Sequence, residues 1–148
     1  DESINKKILA ALENDILAIV CVGETGEQRK AGETYRIIES QVNKALDGLN
    51  DRQLKDIVIA YEPVWAIGTG ENATVGQAAE IHGLIRKIVS EKYQGNESKP
   101  LSILYGGSVT PQNSRELLQN DEIDGALVGG ASLNIDSFCD IIRSAQLE

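Results

Sequence analysis

The chain has 148 residues, of which 41% are apolar and 25% charged, with 14 Gly and 3 Pro. That length suits one ordinary domain, and that balance excludes a disordered or collagen-like chain. With 14 basic against 23 acidic residues the net charge is −9, so the basic footprint of a nucleic-acid binder is missing. No apolar run reaches the roughly 18 residues of a membrane span, and no secretory leader is expected.

The predicted elements alternate along the chain. Ile4, Ile8 and Leu12 recur every fourth residue and predict an opening helix. Residues 16–22 are a short apolar run, predicted as a strand buried on both faces. Tyr35, Ile38, Val42, Ala45 and Leu49 line one face of a second helix, followed by a surface turn at 48–51. Residues 57–61 predict the second strand. Ala78, His82, Ile85 and Val89 predict a third helix, capped at Thr74. A turn at 95–100 leads to a third strand at 101–105. A short helix follows Pro111 at 114–119, then a fourth strand at 125–128. The last helix spans 136–145, with Asp136 as N-cap and Ile141, Ile142 and Ala145 available to pack. One helix followed by four βα units predicts an α/β protein with a parallel sheet and right-handed crossovers.

Cys21 sits in an apolar run and Cys139 in a predicted helix, so both are expected as buried thiols of a reducing, cytoplasmic compartment. The one histidine, His82, lies on an apolar helix face and reads as a packed residue. It has no ligand spacing with the cysteines, and no metal is expected.

In parallel α/β folds functional groups collect beyond the C-terminal ends of the strands. Here those ends read Cys21-Val22-Gly23-Glu24, Ala60-Tyr61-Glu62-Pro63-Val64-Trp65, Tyr105-Gly106-Gly107-Ser108-Val109 and Leu127-Val128-Gly129-Gly130-Ala131-Ser132. Glycines let backbone N–H groups approach an anion, and a following helix N-terminus favours negative charge. Gly106-Gly107-Ser108 and Gly129-Gly130 on neighbouring strands could therefore cradle one phosphate; alternatively each pair makes a tight turn. Pro63 biases Glu62 toward an extended backbone. A partly desolvated glutamate held there suits general-base work; the plainer reading is a solvated carboxylate. Residues 63–70 combine a stiff start with a glycine-containing tip and apolar Trp65 and Ile67. That is the composition of a mobile lid, or of an ordered loop whose tryptophan packs on the rim. Gly68-Thr69-Gly70-Glu71-Asn72-Ala73 fits the dinucleotide pattern G-x-G-x-x-[GA] but does not directly follow a strand, so a dinucleotide site is not expected.

Taken together, these strand ends resemble the triosephosphate isomerase family. The run from Ala60 through Glu62, Pro63, Val64, Trp65, Ala66, Ile67, Gly68 and Thr69 to Gly70 resembles its catalytic-base and lid segment. The segments around Gly106-Gly107-Ser108 and Gly129-Gly130 resemble its phosphate-gripping loops, and Cys21-Val22-Gly23-Glu24 its fifth strand end. The likeness is collinear over nearly the whole chain; Leu147-Glu148 is set apart as a cloning remnant. It implies that Glu62 is the base, and that Gly68, Ser108, Gly129 and Gly130 hold the substrate phosphate through backbone N–H groups. Tyr105 would brace the closed lid near Ala73, and Glu24 would receive Trp65 on closure. A glutamate base working beside a neutral histidine under a water-excluding loop belongs to what is known of the family, not to the spacing.

The resemblance also implies gaps. The family often has Gly-Lys-Thr or Gly-Lys-Ser where Gly70-Glu71-Asn72 stand, and its catalytic lysine, histidine and dimer loop have no counterpart here. The expectation is thus a single partial domain, residues 1–148: the C-terminal half, strands five to eight, of a (βα)8 TIM barrel, which typically needs about 250 residues. It would need no cofactor, bind a triose phosphate or a phosphate or sulfate anion, and contact neither nucleic acid nor membrane. The whole enzyme would be a homodimer, and the isolated half nearly inactive. Two alternatives remain open: an assembly module that self-associates or complements a separate N-terminal half, and another phosphate-binding βα-barrel enzyme.

Overall fold

The computed structural model describes residues 2–67, 71–93 and 101–146. The expected turn at 95–100, Gly68, Thr69 and Gly70, and the last two residues lie outside the described residues. The opening helix α1 (Glu2–Glu13) leads into β1 (Ala18–Val22), then α2 (Gly26–Lys30) and α3 (Thr34–Ala45). β2 (Ile57–Tyr61) is followed by α4 (Val75–Lys92), β3 (Ser102–Tyr105), α5 (Ser114–Leu118), β4 (Gly125–Ala126) and α6 (Ile135–Ser144). The sheet has four strands in the order β1-β2-β3-β4, all pairs parallel. This is an α/β arrangement of sequential βα units, consistent with half of a TIM barrel.

Alternation decides where the core sits. Val20, Ile59, Tyr61, Ile103 and Tyr105 point under the helices and are buried with Ile38, Val42, Leu46 and Ile85. The intervening positions Ile19, Cys21 and Ser102 lie on the other, open face and are exposed. The expectation that every strand is buried on both faces is therefore corrected: one face of β1 is exposed at Ile19 and Cys21. Cys21 is exposed and Cys139 only half-buried, so neither is the fully buried thiol expected.

The element boundaries shift for identifiable reasons. Ile16 donates its N–H to the Ala11 carbonyl, closing α1 behind Asp15 at φ 56°, so β1 begins at Ala18 rather than Ile16. The segment after β1 breaks into α2 and α3 at Gly32, which takes φ 72°. Tyr35 is exposed and its hydroxyl meets the Glu80 carboxylate on α4, instead of joining the face of Ile38, Val42 and Ala45. Thr74 caps α4 as expected, in a reciprocal pair with Gln77. At α6 the cap is Asn134, whose side chain accepts from the Ser137 N–H, rather than Asp136; Ile141 is buried but Ile142 is exposed.

Candidate active site

The strand register brings the functional ends together. The Glu62 N–H donates to the Val22 carbonyl at 2.7 Å, the Gly106 N–H to Tyr61 at 2.8 Å and the Leu127 N–H to Tyr105 at 2.9 Å. Parallel pairing thus runs one residue past β2, β3 and β4, and the register aligns Gly23, Glu62, Gly106 and Leu127 across the open face. Glu62, Ile67, Ser108, Gly129 and Gly130 share one cleft of about 520 Å³, together with Gly106, Gly107 and Leu127. Another cleft, of about 560 Å³, lies beside the end of α3 among Glu2, Asn5, Lys6, Asn43, Lys44, Asp47 and Lys92. It holds no strand end, and its charges are of both signs.

The glycines of the first cleft have two different reasons. A Cβ on Gly106 would lie 2.6 Å from Cγ of Glu62, and one on Gly107 2.1 Å from the Tyr105 hydroxyl. Packing explains that pair. A Cβ on Gly129 or Gly130 would meet nothing within 4 Å, so no protein atom demands glycine there. The open backbone leaves room for a ligand to come close. The Ser108 segment is held by Asn113, whose side-chain amide donates to the Ser108 carbonyl and accepts from the Thr110 N–H.

Glu62 is half-buried at the floor of the cleft. The Cys21 thiol is its hydrogen-bonded neighbour; burial, that bond and the nearby charge push the thiol up to about 11. Tyr105 is buried, and its hydroxyl has no hydrogen-bond partner of good geometry. Burial raises its pKa, and the backbone of Ala73, itself buried, acts in the opposite direction. The residues expected as a brace are therefore neighbours.

The loop after β2 starts with buried Pro63 and makes a tight turn over Val64–Ala66. Its Val64 N–H donates to the Glu24 carbonyl at 3.1 Å. Ala66 is buried, while Val64 and Ile67 are exposed. Trp65 Nε1 donates to Glu24 Oε1 at 3.0 Å. Glu24 is fully buried and also accepts from the Tyr61 hydroxyl, at 3.2 and 3.1 Å to its two oxygens. Burial foremost, then the Glu24 charge, raises the Tyr61 pKa. Sequence reasoning missed Arg29, whose Nη1 donates to Glu24 Oε1 at 3.0 Å. Its spacing of five from Glu24 becomes meaningful only because α2 starts immediately beyond β1.

His82 stands apart from the cleft, buried inside α4. Its Nδ1 lies 3.2 Å from the Glu122 carbonyl, which can only accept, so Nδ1 carries the proton. Burial above all pushes its pKa down to about 4. Among the described residues no group of three or more His, Cys, Asp or Glu is placed to hold a metal. No helix among them is long and apolar enough to cross a membrane.

Sequential parallel βα units with a glutamate and backbone glycines at the strand ends define a strand-end site of the barrel-enzyme class. The triosephosphate isomerase family profile matches residues 1–145. The chain is 53% identical over 144 residues to the triosephosphate isomerase of Dictyoglomus turgidum, covering 97% of this chain and 58% of that protein. It is 51% identical over 146 residues to that of Moorella thermoacetica, covering 99% and 58%. It is 48% identical over 145 residues to that of Rhodopirellula baltica, covering 98% and 57%. The chain belongs to the triosephosphate isomerase family, an isomerase family, and spans rather more than half the length of these relatives. A different phosphate-binding barrel enzyme is thereby set aside.

Proposed function

We propose that the Glu62 cleft is the proton-transfer and phosphate-holding part of a site that interconverts dihydroxyacetone phosphate and glyceraldehyde 3-phosphate. The observation that carries this reading is the shared cleft: the Glu62 carboxylate and the open Gly129-Gly130 backbone face one space. Glu62 would take a proton from C1 of the ketone and return it to C2, while the hydroxyl proton passes between the two oxygens. Backbone N–H groups at Ser108, Gly129 and Gly130 would hold the phosphate, with Gly68 completing the grip. Residues 63–70 would close over it, with Tyr105 and Ala73 steadying the closed loop. No metal or organic cofactor enters this chemistry. The free thiols of Cys21 and Cys139 suit a reducing cytoplasm.

This stretch alone would turn over negligibly. Its one histidine is buried in α4 and does not line the Glu62 cleft, so it is not the group that would polarise the substrate carbonyl. Losing such a group typically costs about a hundredfold or more. A turnover assay with micromolar purified chain should match buffer; a rate near that of a full-length relative overturns the reading of inactivity. Titration with inorganic phosphate, followed by amide NMR, should shift Ser108, Gly129 and Gly130 first. No shift there overturns the phosphate site.

A second reading concerns assembly. Ile16 and Leu17, just before β1, and Ile19 within it are 58%, 54% and 48% exposed, and β1 is an outer strand with no partner on its far side among the described residues. Such an edge and apolar face invite further βα units to pair and cover them. The occupant we favour is the additional chain that the longer relatives carry. Sedimentation at several concentrations tests it: a compact monomer throughout argues against an uncovered face, whereas concentration-dependent dimers make a second copy the occupant.

A further inference from the structure

We infer that Arg29 is a positioning residue that clamps the loop tryptophan, Trp65, against the end of β1. The inference rests on the reading of residues 63–70 as a closing loop and adds the element that holds it down.

The clamp is built locally. Thr25 and Gln28 form a reciprocal cap, Gln28 N–H to Thr25 Oγ1 at 3.3 Å and Thr25 N–H to Gln28 Oε1 at 2.8 Å. That fixes the first turn of α2 directly beyond Glu24 and aims the next residue, Arg29, back over the strand end. The guanidinium carbon lies 4.8 Å from the centre of the Trp65 ring, within cation–π range. The same guanidinium donates to Glu24 Oε1, the oxygen that accepts from Trp65 Nε1. Trp65 is therefore held twice by one pair of charges, at its N–H by the carboxylate and on its ring by the cation. A Cβ on Gly26 would meet Trp65 Cβ at 3.4 Å, an ordinary contact distance, so the loop lies beside the start of α2.

The alternative role is purely structural: Arg29 neutralises a buried carboxylate and the tryptophan merely happens to be near. The two roles separate at lysine. An ammonium can pair with Glu24, but it lacks the planar group that pairs along its edge and stacks on its face together. Trp65 is the one tryptophan of the chain, so its fluorescence reads the clamp without any activity.

The experiment is acrylamide quenching and emission maximum of the full chain, as wild type, Arg29→Met and Arg29→Lys, with circular dichroism and melting as fold controls. The clamp predicts a red shift and about a twofold or larger rise in the quenching constant for Arg29→Met. Arg29→Lys should fall between Met and wild type, with a near-normal melting temperature. Wild-type emission and quenching in a folded Arg29→Met overturn the inference. Should Arg29→Met fail to fold, the lysine variant decides: quenching unchanged from wild type overturns it, and raised quenching supports it. A wild type whose Gly129 and Gly130 amides ignore inorganic phosphate would defeat the proposed phosphate site, while the quenching result would still stand.

Discussion

A Cβ built on Gly106 would lie 2.6 Å from Cγ of Glu62 and 3.2 Å from its Oε1. The bare backbone beyond β3 is thus the floor on which the glutamate beyond β2 rests. Gly106→Ala is expected to push the carboxylate aside and to cost about 1–3 kcal/mol through overpacking. Urea unfolding measures that cost. Unchanged stability together with an unchanged Cys21 titration would be incompatible with the contact.

Cys21 reports on Glu62 from the neighbouring strand. Its thiol is pushed up to about 11, by burial first and then by the hydrogen bond and charge of Glu62. Because Cys21 is exposed on the open face, water limits the burial part, and the Glu62 contact is the part that substitution reads. In a Cys139→Ser background, the alkylation rate of Cys21 should titrate above the ordinary 9.0. Glu62→Gln should shift that profile toward lower pH. Identical profiles for the two chains would remove Glu62 from the thiol's surroundings.

His82 makes the fold sensitive to acid. Its pKa is about 4 in the fold against 6.5 for the free group, burial being the chief cause. The unfolded chain therefore binds the extra proton first as pH falls. The contribution to stability is whole above pH 6.5 and drains away down to about 4, amounting to about 3 kcal/mol. His82→Asn loses packing at every pH but removes this slope. Urea unfolding between pH 7 and 4 should show the wild type falling more steeply than the variant; parallel slopes would show that His82 does not titrate in this range.

Two glycines should respond in opposite ways to alanine. A Cβ on Gly23 would sit 1.8 Å from the Glu62 carbonyl oxygen, which is backbone and cannot swing away. Gly23→Ala should therefore cost about 3 kcal/mol or more, or prevent folding. A Cβ on Gly83, inside α4, would make only ordinary contacts at 3.6 Å or beyond. Gly83→Ala should stabilise by about 0.5–1 kcal/mol. Melting temperatures of the two variants would settle both, and a tolerated Gly23→Ala would sink the close approach of these strand ends.

Much of this molecule is legible without coordinates. Short apolar runs and the 3.6-residue spacing of apolar side chains predict the order of strands and helices, because burial is a local demand repeated along each element. That β1 buries only one face is not legible in the sequence. The strand ends carrying Glu62, Gly106, Gly107, Gly129 and Gly130 stand out for the same reason, since glycine pairs and a carboxylate interrupt apolar runs. Local bonding moved the boundaries. Asn134 rather than Asp136 caps α6, and the Ile16 N–H closes α1 instead of joining β1.

Tertiary structure alone decided which neighbours each residue would have. Gly106 needs to be glycine because Glu62 lies over it, whereas Gly129 and Gly130 face open space, and nothing in the letters separates these cases. Cys21 belongs to an apolar run yet faces the open side, because alternation fixes two faces and only packing says which is covered. Arg29 reads as one surface arginine among others until β1 and β2 pair and bring Glu24 and Trp65 to it. Periodicity is a property of neighbours along the chain and is written in it. Contacts between strand ends depend on sheet register across tens of residues, and only the folded chain sets that.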